Sequence, residues 1–230
     1  MRIEVKSDIL GENNRTAAQL AKMFLEKGIF VLNIIGSPGA GKTTLLEKVF
    51  ARLDKRLRVA VIEGDLFTEK DAARIEALGV TAIQLNTQGG CHLDAPMIER
   101  AWAELTKDDS RPLPELLIIE NVGNLVCPAE FNLGEDMKLV ILSVAEGADK
   151  PLKYPLIFKE AGAVVFSKTD LLPYVDFDYD GAVSDVNMLH PGVQLFPLSA
   201  KTGEGMDEFC CWLMNRAAEK KGTVVGKGDE

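Results

Sequence analysis

Cys91 and His92 stand side by side in the stretch NTQGGCHLDA, Asn86 to Ala95, directly after two glycines. The chain has four cysteines and two histidines in 230 residues, so the pairing draws on two scarce residue types. A thiolate beside an imidazole is a ligand pair for Zn²⁺ or Ni²⁺. The alternative is a small loop residue followed by a helix-start residue. These ten residues do not choose between the two.

A second stretch, GSPGAGKTT from Gly36 to Thr44, fits G-x-x-x-x-G-K-[ST] at Gly36, Gly41, Lys42 and Thr43. It follows an apolar strand-like run and opens a helix-like one, the context such a loop requires. Its glycines let the backbone of Ser37, Pro38, Gly39 and Ala40 wrap phosphate oxygens, and the N–H groups at the helix start, through Thr44, face the anion. Lys42 is placed to reach the β- and γ-phosphates, and the Thr43 hydroxyl to ligate Mg²⁺. An ordinary Gly-rich turn is the alternative.

The base is read from SKTD, Ser167 to Asp170, which resembles the N-K-x-D guanine motif with Ser167 in place of Asn. An Asp170 carboxylate accepts from guanine N1–H and the N2 amino group, and adenine would leave it unpaired. The Lys168 stem can cover one face of the base. SAK, Ser199–Ala200–Lys201, resembles the second guanine loop, with the Ala200 N–H toward guanine O6. GTP and GDP are therefore the expected ligands. The acidic groups come from VIEGDLFT, with Glu63 and Asp65, and from LIIENVGNLVC, with Glu120. Asp65 is the candidate for orienting water or reaching Mg²⁺, and Glu120 takes a Walker B-like place. Lys42, Asp65 and Glu120 are thus the expected catalytic groups, with Thr43, Asp65 and Glu120 around Mg²⁺.

The elements that must position these groups alternate along the chain. Strands are predicted at Phe30–Ile35, Arg58–Glu63, Val80–Leu85, Leu116–Glu120, Leu139–Val144, Ala163–Lys168 and Gln194–Ser199. Several are unbroken Val/Ile/Leu runs, as in strands buried on both faces of a parallel sheet. Helices are predicted at TTLLEKVFARL, APMIERAWAEL and MDEFCCWLMNRAAEK. This is the pattern of a doubly wound α/β fold with ligands at the carboxyl edge of the sheet. One domain over 1–230 is expected, with an extra helix at about 13–27 and a frayed tail, KGTVVGKGDE. The formal net charge of −9 argues against nucleic acid and anionic membranes as partners. The start of the chain lacks a signal-peptide core, and no apolar run reaches the roughly 18 residues of a membrane span. A cytoplasmic location is expected.

Taken together, GSPGAGKTTLLEK, EGD, GCHLDA, IENVGNLVCPAEFNLGED, EGADKPLKYPLIFKEA and SKTDLLPYVDFD resemble the HypB family, GTPases that help insert nickel into nickel–iron hydrogenases. The resemblance runs from Asn13 to Trp212. It implies a three-layer, mostly parallel P-loop NTPase of the signal-recognition and MinD-like class. It also implies slow GTP hydrolysis, a homodimer favoured by GTP, and partnership with a HypA-type nickel protein and the hydrogenase large subunit. The family's metal ligands fall on Cys91, His92 and Cys127. Many relatives carry a Cys- or His-rich nickel segment near the N-terminus, whereas here neither residue precedes Cys91, so only the GTPase-domain site is expected.

Cys127 follows Glu120 through NVGNLVC, so a segment leaving the γ-phosphate leads to the metal, as a switch region would. Asp94 either supports His92 or caps the helix APMIERAW. Cys210 and Cys211 are expected in the core and His190 in a loop. Three other readings compete: a urease accessory-type nickel GTPase, disfavoured because that family's Cys-Pro-His motif is absent; a zinc-stabilised nucleotide-binding interaction module; and a partitioning-type ATPase, disfavoured by Asp170.

Overall fold

The computed structural model of the protein describes residues 5–53, 57–65, 74–87 and 89–225. Seven strands form one sheet: β1 (Phe30–Gly36), β2 (Val59–Asp65), β3 (Thr81–Asn86), β4 (Leu116–Glu120), β5 (Met137–Ser143), β6 (Ala161–Ser167) and β7 (Gln194–Pro197). Their order is β3-β2-β4-β1-β5-β6-β7. All six pairings are parallel. β4 comes fourth in the chain but inserts between β2 and β1. The carboxyl ends of β1, β2 and β4 thereby meet at one point of the edge, where ligands bind in open α/β sheets.

The α-helices with bounds among the described residues are α1 (Val5–Glu26), α2 (Lys42–Phe50), α3 (Ala95–Leu105), α4 (Cys127–Glu130), α5 (Lys150–Lys153), α6 (Pro155–Glu160), α7 (Tyr179–Leu189) and α8 (Met206–Val225). The strands read as unbroken apolar runs because both faces are covered. In β1, Phe30, Leu32 and Ile34 pack toward Leu45 and Leu46 of α2 and Phe209 and Leu213 of α8. Val31, of opposite parity, packs toward Leu20 and Phe24 of α1 and Ile98 and Trp102 of α3. Ile35 joins Ile157 and Phe158 of α6 and Val186 of α7. Phe24 meets Trp102 edge-to-face at 5.0 Å, tying α1 to α3.

β4 and α3 match their predicted bounds, and the other strands differ by one or two residues at an end. α1 starts well before the predicted 13. Among the residues of α1 whose side chains are described, the buried apolar ones, Ala17, Leu20 and Phe24, follow Asn13, while Gly11 is exposed and a Cβ there would have nothing within 4 Å. The first part of the predicted tail is also helical. α8 continues to Val225, and Lys220 reaches Asp136 and Lys221 reaches Glu115 from its last turns. The last residues, 226–230, lie outside the described residues. Cys210 is buried, but Cys211, expected in the core, faces solvent one position round the helix. No helix among the described residues is long and apolar enough to cross a membrane.

One buried side chain holds α1 to the functional edge. The Asn13 carboxamide donates to the Asn132 carbonyl at 2.9 Å and accepts from the Ala95 N–H, at the start of α3, at 2.8 Å. Asn13 is 2% exposed, so its loss leaves both partners dry. Asn13→Ala is expected to cost about 1–3 kcal/mol, seen as a lower urea midpoint at unchanged slope.

Candidate functional site

The loop after β1 turns sharply. Gly39 and Gly41 take φ of 77° and 95°, conformations that side chains rarely adopt. Gly36 has no room for a Cβ, which would lie 2.9 Å from the Ile141 carbonyl oxygen. Gly41 caps α2, and the first helical bond runs from the Leu45 N–H to the Gly41 carbonyl at 2.8 Å. The preceding N–H groups of α2, at Lys42, Thr43 and Thr44, are those a helix start offers to an anion. The buried Lys42 Nζ donates to the carbonyls of Gly36 and Ser37, both at 3.3 Å. The Thr43 hydroxyl donates to Glu120 Oε1 at 2.9 Å, which joins the loop to the end of β4. Glu63 lies beside Glu120 in register across β2 and β4, and both are nearly fully buried. A cleft of about 460 Å³ opens here, lined by Lys42, Thr43, Glu63 and Glu120 among others. Asp65 is the last residue of β2, and its side chain lies outside the described residues.

A second pocket of about 220 Å³ adjoins the cleft and shares Gly41, Thr44 and Lys168 with it. It is lined further by Ser167, Asp170, Leu171 and Ala200. Lys168 has φ of 61°, the one non-glycine residue at positive φ among the described residues. This bend sends its Nζ to the Gly39 carbonyl at 2.6 Å, so the stem bridges pocket and loop. Ser167, which stands where the usual motif has Asn, donates its buried hydroxyl to the Ala40 carbonyl at 2.7 Å. The Ser199 hydroxyl donates to Asp170 Oδ1 at 2.6 Å, and Lys201 lies 3.8 Å from Asp170 Oδ2. Asp170 is thereby fixed at the pocket wall as an acceptor.

Cys91, His92 and Cys127 come together: one ligand atom from each lies within 4.8 Å of the others. The Cys91 and Cys127 sulfurs are 2.9 Å apart and His92 Nδ1 is 3.5 Å from the Cys91 sulfur. Both cysteines are free. Two thiols and an imidazole are a fitting donor set for Zn²⁺ or Ni²⁺. The hydrogen bond with Cys127, then burial, raises the Cys91 pKa above the ordinary thiol value. Burial lowers the His92 pKa against the pull of Asp94 and Glu130, which favours the neutral imidazole that ligates metals. The His92 ring rests on Phe131, centroids 3.9 Å apart. Asp94 caps α3 by accepting from the Met97 N–H at 2.8 Å, and its link to His92 is through charge.

The segment between Glu120 and Cys127 touches both sites. Asn121 is 1% exposed; its Oδ1 accepts from the Leu93 N–H at 3.2 Å and the Val122 N–H at 3.0 Å, and its amide donates to Asn33 of β1. Gly123 lies against the phosphate loop so closely that a Cβ would come within 2.9–3.0 Å of Pro38. Asn124 donates to the Cys91 carbonyl at 3.1 Å. Asn121 and Asn124 sit inside ENVGNLVC, where polar residues directly after a buried strand were the available signal. Phe131 had none, because its role depends on where His92 points.

A Gly-rich loop from β1 to α2, a buried lysine, a Thr–carboxylate pair and a flanking base pocket define a P-loop nucleotide-binding protein. The likeness of fold extends to the signal recognition particle receptor FtsY of Elizabethkingia anophelis, at a TM-score of 0.51 and 15% identity, covering 86% of this chain and 72% of that one. Residues 30–197 match the family model described as CobW/HypB/UreG, nucleotide-binding domain. The hydrogenase maturation factor HypB of Azotobacter chroococcum mcd 1 is 50% identical over 211 residues, 92% of this chain and 68% of that protein. The crystal structure of HypB from Helicobacter pylori in complex with nickel superimposes with a TM-score of 0.86 at 41% identity, covering 91% and 97% of the two chains. The chain belongs to the CobW/HypB/UreG family and, within it, to the hydrogenase maturation factors HypB, which are GTPases.

Proposed function

We propose that the chain is a GTP-hydrolysing metallochaperone that assists nickel insertion into nickel–iron hydrogenase, with a metal site whose affinity follows the bound nucleotide. It acts in the cytoplasm as a homodimer favoured by GTP, and its partners are a HypA-type nickel protein and the hydrogenase large subunit. The observation that carries this reading is the Glu120–Cys127 segment, which meets Thr43 and Pro38 at one end and the Cys91 loop at the other.

Asp170 reads guanine N1–H and N2, the Ala200 N–H meets O6, Lys168 covers the ring, and Ser199 and Lys201 hold Asp170. Gly36 to Thr44 cradle the phosphates. Lys42 leaves the carbonyls of Gly36 and Ser37 for the β- and γ-oxygens, which are stronger acceptors. Thr43 and Glu120, with Asp65, would hold Mg²⁺, which would supply charge to offset that of the phosphates. Asp65 orients the attacking water; the γ-phosphorus–oxygen bond breaks, and GDP and phosphate leave. A γ-phosphate against Gly123 holds the segment in one arrangement, and its loss relaxes Cys127 relative to Cys91 and His92. The cargo, Ni²⁺, is held by Cys91, His92 and Cys127 with a fourth ligand from water or the partner chain; Zn²⁺ suits the same donors.

The test titrates the purified protein with nickel and with zinc, bound to GDP or to a non-hydrolysable GTP analogue. A coupling of about 1–3 kcal/mol, or 5–150-fold in affinity, is expected. It should vanish in Cys127→Ala. Equal nickel affinity in the two nucleotide states would overturn the switch. Tight zinc binding indifferent to nucleotide would make the three residues a structural clasp.

A further inference from the structure

Three cations line the phosphate cleft among the described residues: Lys42, Lys168 and Arg74. Lys42 and Lys168 rest on loop carbonyls, at Gly36 and Ser37 and at Gly39. Arg74 is held differently. Its Nε donates to Glu47 Oε1 at 2.8 Å and its Nη2 to Glu47 Oε2 at 3.0 Å, a two-pronged carboxylate clamp. Glu47 follows Thr43 by one helical turn on α2, so the clamp lies along the same helix face as the proposed Mg²⁺ ligand. The pair is open to water, with side chains 47% and 25% exposed, and such pairs contribute little to stability. A planar guanidinium that fits a carboxylate also fits a phosphate, and the terminal phosphate of a nucleoside triphosphate carries more charge.

We propose that Arg74 is a catalytic residue stored on Glu47, which transfers its guanidinium to the γ-phosphate of bound GTP. The inference rests on the GTPase reading above. Phosphoryl transfer raises charge on the transferring group and the leaving β-phosphate oxygen, and Lys42 is the side-chain cation already assigned to both. Arg74 adds a second. It stays protonated throughout and takes no proton from water: the water oxygen bonds to the γ-phosphorus, the bond to the β-phosphate breaks, and GDP and phosphate separate. Glu47 serves as a positioning residue that keeps the arginine at the cleft when GDP is bound.

The full chain and the variants Arg74→Ala, Arg74→Lys and Glu47→Gln are compared in three ways. These are single-turnover GTP hydrolysis, affinity for GDP against a non-hydrolysable GTP analogue, and affinity for GDP with aluminium fluoride. Arg74→Ala should lower the hydrolysis rate about 10²–10³-fold. It should abolish the aluminium fluoride enhancement and leave GDP affinity within about twofold. Arg74→Lys should restore only part of the rate, because a point charge lacks the fork. Glu47→Gln should tighten the GTP analogue by about two- to fivefold without tightening GDP, since the competing carboxylate charge is gone. Arg74→Ala with the parent's rate, or with GDP and analogue weakened equally, would overturn the proposal. The analogue-against-GDP comparison needs no turnover. A parent that does not hydrolyse GTP therefore rejects the enzyme reading, while the binding arms still decide Arg74.

Discussion

Asp170→Asn is expected to weaken GTP binding by about 10²–10⁴-fold and to turn the protein toward xanthosine triphosphate. Asp170 lines the pocket beside Ala200 and Leu171, with its side chain 14% exposed, so little water is at hand to replace lost bonds. In the proposed reading the carboxylate accepts from two donors of guanine. Charge-assisted bonds of this kind contribute about 1.5–3 kcal/mol each, and each 1.4 kcal/mol is tenfold. An amide at the same place turns an NH₂ toward the guanine amino group, where donor meets donor. Xanthine offers a carbonyl there and keeps N1–H, so the amide is satisfied. The Ser199 hydroxyl, 2.6 Å from Oδ1, can still donate to the amide oxygen and hold the side chain. Competition binding with GTP, ATP and xanthosine triphosphate checks this. Unaltered GTP preference would mean that Asp170 does not read the base.

Lys42→Ala is expected to lower GTP turnover by at least about 10²–10³-fold, the loss typical of removing one preorganised donor from developing charge. Lys42 is 9% exposed, and α2 begins at this residue. Alanine favours the helix, so the fold should survive with an unaltered unfolding midpoint. Lys42→Arg should not restore full turnover, because a planar guanidinium fork does not reproduce the compact ammonium that reaches the Gly36 and Ser37 carbonyls. Single-turnover hydrolysis alongside thermal unfolding separates the two effects. Turnover kept in Lys42→Ala would remove the lysine from the mechanism.

Legibility in the sequence followed locality. α3 could be bounded to the residue because Asp94 and Pro96 mark its start and a strong apolar stripe marks its length. β4 could be bounded because LLIIE is buried along its whole length between polar residues. The outer turns of α8 escaped because the ion pairs that reach them, Lys220 to Asp136 and Lys221 to Glu115, are long-range. The loop Gly36–Thr44 is a local motif and was plain. The convergence of Cys127 on Cys91 is not local: it requires β4 to insert between β2 and β1, which no pattern in either strand dictates. Resemblance supplied that trio, and composition alone would have left it open. Arg74 and Asn121 are ordinary residues in ordinary positions, and only the packed edge shows what they face.

The Ser167 hydroxyl bond to the Ala40 carbonyl, with Lys168 on Gly39, fastens the floor of the base pocket to the phosphate cradle at two points. Under the proposed function, recognition of the base and grip on the triphosphate are then not separate checks but an interlock. A purine that sits badly displaces the very loop that must hold its phosphates, so an error at one end of the nucleotide is felt at the other. Under the proposed function, fidelity toward guanine is in this way built into the alignment of the reacting bond, and an adenine nucleotide that does enter is expected to be discriminated against a second time, in rate as well as in occupancy.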